Sequence, residues 1–113
     1  MFKKSLVVAM VFTGVFSTTA FADSGVCVNS SWVTRNAGSI DVEIRTCVIN
    51  NYSHVEVRNP FDKPICVSTV ATKTVRRWTQ WECKPGGMLE WVVKGSDEIW
   101  QVGAFMKSGS SCK

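Results

Sequence analysis

Turn-forming clusters interrupt this chain at short, even intervals, and that spacing restricts it to a succession of short strands. Asn36-Ala37-Gly38, Asn50-Asn51, Asn59-Pro60 through Lys63-Pro64, Pro85-Gly86-Gly87 and Gly95-Ser96-Asp97 place a break about every 8 to 13 residues, the rhythm of consecutive antiparallel strands. Between the breaks stand mostly Val, Ile, Thr, Trp and Phe, whose branched or aromatic side chains pack well on a pleated surface and lose rotamer freedom in a helix. No segment sustains a helical period.

The alternation within these segments assigns faces. Ile40, Val42 and Ile44 lie on one side of a strand, with Asp41, Glu43 and Arg45 on the other, as expected for a strand with one dry and one wet face. Val55 and Val57 against His54, Glu56 and Arg58 repeat the pattern. Leu89, Trp91 and Val93 against Glu90 and Lys94 repeat it again. With Val26 to Val33, Ile65 to Ala71, Thr74 to Cys83 and Ile99 to Met106 added, the total is about seven strands. The expectation is an all-β fold, a small antiparallel two-sheet sandwich stapled by disulfides, because dry faces on short strands must be buried against each other. A small closed β-barrel is the alternative.

Lys3 and Lys4, an apolar run from Leu6 to Phe16 and Ala20-Phe21-Ala22 before Asp23 have the order of an export signal, so residues 1 to 22 are read as a cleavable secretory signal peptide of bacterial type. The apolar run is too short to span ~30 Å of hydrocarbon, which leaves no membrane anchor after cleavage. The remainder, 23 to 113, reads as one β domain with a flexible tail from about 107, where Ser108-Gly109-Ser110-Ser111 is linker-like. It is expected to be periplasmic or secreted. All 5 cysteines, Cys27, Cys47, Cys66, Cys83 and Cys112, follow the signal and should pair in an oxidising compartment. An odd number leaves one over, with many pairings open. Cys112, in the tail, is the expected odd thiol, unless the tail reaches back to Cys27. An unpaired thiol would allow a dimer linked through it.

Loss of Lys3 and Lys4 lowers the formal charge from +4 to about +2, too little to argue for nucleic acid. No Cys-x-x-Cys occurs and His54 is the single histidine, so no metal site or other cofactor is expected. His54 follows a turn on a wet strand face, and Asp41 with Glu43 and Asp97 with Glu98 read as solvating charges. No residues are assigned a catalytic role.

The 5 tryptophans exceed what a short core needs, since each buries ~150 to 250 Å². In Thr74 to Cys83 the strand period puts Trp78 and Trp81 on opposite faces. Trp81 shares its face with Val75 and Thr79 and is expected in the core. Trp78 shares its face with Arg76, Gln80 and Glu82 and is expected at the surface, where its removal would spare stability. Trp78-Thr79-Gln80-Trp81-Glu82-Cys83 departs from the Trp-x-x-Trp-x-x-Cys opening of thrombospondin type 1 repeats, because one residue separates Trp81 from Cys83 and the rest of that cysteine frame is missing. No family follows from it. Trp and Arg are enriched at binding hot spots, so Arg76, Arg77, Trp78 and Gln80 are the expected ligand or partner site. The functional expectation is a non-enzymatic exported binding module, with a protein partner favoured over a glycan. A small secreted enzyme or toxin using Cys112 or His54 and a disulfide-linked structural dimer are the alternatives.

Overall fold

A computed structural model describes residues 25–112; the signal reading falls outside the described residues. The described residues form eight strands: β1 (Val33–Asn36), β2 (Asp41–Ile49), β3 (Tyr52–Arg58), β4 (Ile65–Ala71), β5 (Arg76–Arg77), β6 (Trp81–Cys83), β7 (Met88–Lys94) and β8 (Trp100–Met106). They build two open antiparallel sheets, one ordered β1-β2-β3-β7 and one in which β4 pairs β8 on one side and β5 and β6 on the other. The sandwich is therefore the observed architecture. Thr74 to Cys83, read as one strand, is two short ones, and the expected first strand starts only at Val33.

Local chemistry explains the connections. Asn50 and Asn51 both adopt positive φ, 51° and 66°, between the paired residues Ile49 and Tyr52, which is the two-residue hairpin that matches strand twist and that Asn tolerates. Asn59 turns the chain from one sheet to the other. It is 1 % exposed, accepts from the Phe61 N–H at 2.8 Å, and donates to the Lys63 and Cys83 carbonyls at 2.8 and 3.0 Å.

Between the sheets lie Val42, Val55 and Val57 from one side and Ile65, Val67 and Ala104 from the other, with Trp91 closing the layer. These follow the alternation. The wet face of the first sheet does not. Arg45 and Glu56 stand opposite each other in register, and their side chains are 2 % and 0 % exposed. The residues before β1 cover them. The Val26 N–H donates to Glu56 Oε2 at 2.8 Å, and Trp32 lies against both Arg45 and Arg58, each guanidinium 4.3 Å from its ring centroid. A Cβ on Gly25, whose φ is +94°, would overlap the Glu56 carboxylate and Met88. Burying an ion pair is favourable only when its remaining hydrogen-bonding capacity is met, and this strap meets it.

Two disulfides fasten the segments that flank the strands. Cys27–Cys47 ties the strap to β2, and Cys66–Cys112 ties the C-terminal segment to β4. Cys112 is thus neither odd nor bonded to Cys27, and the tail is anchored rather than loose, with Cys112 8 % exposed. In the chain-entropy view, loops closed over separations of 20 and 46 residues contribute about 3 and about 4 kcal/mol. The odd thiol is Cys83, 2 % exposed opposite Ile65, and burial pushes its pKa above the ordinary thiol value. A covalent dimer through Cys83 would require β6 to leave the core.

Alkylation of the folded protein at neutral pH should leave Cys83 unmodified, whereas denaturant without reductant should expose one reactive thiol per chain, read by intact mass. Because the Cys83 pKa is raised by folding, its contribution to stability is complete below the unfolded thiol pKa of about 8.5 and is lost as pH rises through that value towards the folded one. A Cys83→Ala variant should flatten this alkaline fall in the thermal midpoint. Replacing Arg45 by Met strands the Glu56 carboxylate and should cost about 3 to 5 kcal/mol in urea unfolding.

Candidate binding site

The segment Arg76 to Glu82 owes its shape to a register change. Val70 pairs with Arg77 and Val67 with Trp81, so Ser68 and Thr69 face three residues, Trp78, Thr79 and Gln80. One extra residue on one strand is a β-bulge, closed here by the Trp78 N–H donating to the Thr69 carbonyl at 3.2 Å. The bulge resets the alternation, and the two tryptophans exchange their expected environments. Trp78 is half-buried against the core, its ring 5.8 Å from that of Trp100. Trp81 lies at the sheet edge and is 56 % exposed.

The arginines remain at the surface. Arg76 sits with its guanidinium 5.3 Å from the Trp78 ring centroid, while Arg77 lines a groove of about 830 Å³ together with Trp78, Thr79, Gln80, Val70 and the Cys112 end of the disulfide. Three of the four expected site residues thus share one groove, and Arg76 packs beside it. Among the described residues no carboxylate lines the groove, and none of their acidic side chains stands beside Arg77 there.

The loop leading into the site is held from the other side. Lys73 and Thr74 N–H groups donate to Glu98 Oε1 at 2.8 and 3.3 Å, and Lys73 Nζ pairs with Asp97 at 2.7 Å. That contact holds the Lys73 pKa above and the Asp97 pKa below their ordinary values. Asp97 and Glu98 are therefore structural ligands of the loop rather than free solvating charges. Val75, 80 % exposed, has φ 54°, a left-handed conformation that a β-branched residue adopts only under constraint.

A second concavity was not legible in the sequence. It opens between the sheets, about 660 Å³, lined by Val33, Arg35, Ile44, Ile99, Trp100 and Val102 among others. The Trp100 indole N–H is buried without a hydrogen-bond partner among the described residues. Ile99 to Met106 was read only as a strand, which says nothing of a β1 too short to cover it.

The groups considered for catalysis are separated. Cys112 is in a disulfide. His54 Nδ1 lies 3.0 Å from Glu90 Oε2 on the outer face of the first sheet. Among the described residues, no group of three His, Cys, Asp or Glu side chains could hold a metal ion.

Compared with known proteins, the chain matches no family model, and no curated protein or solved structure is significantly similar to it.

Replacing Trp78 by Ala should lower stability by about 3 kcal/mol, as for other large core truncations. Trp81→Ala should cost under about 1 kcal/mol. Chemical denaturation of the two variants checks the exchanged environments. Val75→Gly, which relieves the left-handed φ, should raise stability by about 1 kcal/mol.

Proposed function

We propose that this protein is an exported, non-enzymatic binding module, periplasmic or secreted, that captures an acidic segment of a partner protein in the groove beside the bulge. The observation that carries this reading is Arg77, exposed on a groove that no carboxylate lines among the described residues, in a segment that also exposes Arg76 and, past the bulge, Trp81, which is 56 % exposed. Guanidinium groups recognise carboxylates through a rigid bidentate fork. Trp and Arg together are the residue types that dominate binding energy at protein interfaces. The interrupted edge also fits side-chain recognition rather than strand addition, since a bulge breaks the ladder an added strand would need. Two intramolecular disulfides accord with an oxidising compartment outside the cytoplasm, which is where the N-terminal signal would deliver the chain.

Peptides selected from a random display library against the folded protein should be enriched in Asp and Glu. Arg76→Glu combined with Arg77→Glu should weaken the best of them by at least about tenfold while leaving the thermal midpoint in place, the loss expected for charge-assisted hydrogen bonds worth ~1.5 to 3 kcal/mol. Selected peptides that bind this double variant equally well would sink the reading, and saturable binding on a glycan array with no peptide selected would replace the protein partner by a carbohydrate.

A further inference from the structure

We propose that a second copy of this chain adds to the first sheet along β7, making a symmetric dimer with one continuous sheet. Among the described residues β7 pairs only with β3, which leaves the other edge of a regular seven-residue strand open. Such edges invite pairing. The remaining edges are blunted: β5 and β6 are interrupted by the bulge, β1 has four residues, and the β8 edge is bridged where the Ala104 N–H donates to the Ala37 carbonyl.

The side chains on β7 select the partner and the alignment. Met88, Glu90, Val92 and Lys94 lie on the outer face, and Leu89, Trp91 and Val93 on the core face, with Trp91 and Val93 buried. A two-fold antiparallel pairing keeps faces matched only when it is centred on a residue. Centred on Glu90 or on Lys94, it sets like charges directly opposite each other, which is destabilising. Centred on Trp91, it puts Glu90 against the partner's Val92, and centred on Val93 it puts Lys94 there. Centred on Val92, it places Glu90 opposite the partner's Lys94 and Lys94 opposite the partner's Glu90. Val92, itself 46 % exposed, then meets its own counterpart, and Trp91 meets the partner's Val93, so the core layer runs on across the junction. This one alignment satisfies both charges and both faces. Glu90 is already positioned by His54 at 3.0 Å, which fixes its carboxylate above the strand at little further ordering cost. The contact is isologous, so it closes at two copies.

Sedimentation equilibrium of the exported protein up to about 100 µM should show a monomer–dimer equilibrium of micromolar strength. Glu90→Lys and Lys94→Glu should each raise the half-dissociation concentration at least roughly tenfold, through two like-charge contacts per dimer. An equimolar mixture of the two variants should recover the dimer, because each supplies the charges the other lacks, and so should the double variant. That recovery also reports that both single variants are folded. A wild-type monomer over the whole range overturns the proposal, as does a dimer that persists in both single variants or one that the mixture fails to restore.

Discussion

The buried contact between Arg45 and Glu56 governs the first sheet. Two full charges out of water would be a liability by themselves, and their directly opposed positions on β2 and β3 do not repay the desolvation. What makes the pair tolerable is the segment before β1, which brings backbone N–H groups to the carboxylate and an indole to the guanidinium. The strap in turn stays in place because Cys27 is bonded to Cys47 two positions from Arg45. Pair, strap and disulfide are one unit, and removing any member exposes the other two.

The same pair disciplines its neighbours. Glu43 with Arg58 and Arg45 with Glu56 are consecutive opposite-charge pairs in the β2–β3 register, so slippage by two residues loses both. Glu56 also stands opposite Glu90 on β7, an arrangement of like charges that is relieved because Glu56 turns to Arg45 and Glu90 to His54. Electrostatic detail on this face thus fixes which residue sits beside which, a matter that the smooth apolar layer underneath leaves open.

Three strands of the first sheet, β2, β3 and β7, were legible because each carries a two-residue alternation, and Asn50-Asn51 announces its own hairpin; β1, exposed along its length, carries none. Arg45 and Glu56 were not, since a polar residue on the outer face looks the same in sequence whether water or a strap covers it. The bulge was opaque for a related reason. Nothing in Trp78-Thr79-Gln80 marks the extra residue, and one inserted residue inverts every later assignment of faces. Hence Arg76 was placed at the surface correctly, while the two tryptophans were interchanged. Cysteine number predicts bridges, yet partner choice depends on which strands become neighbours, and that is decided by the whole topology.

The position of the two disulfides has a mechanical meaning. Each one stitches a terminal segment onto a strand of its nearest sheet, and neither crosses from one sheet to the other. The segments before β1 and after β8 are thus riveted to strands, whereas among the described residues the seam between the layers is held by packing and by the loops. A pull on Cys27 is therefore carried into β2 and a pull on Cys112 into β4, so neither disulfide shares load across the seam between the layers.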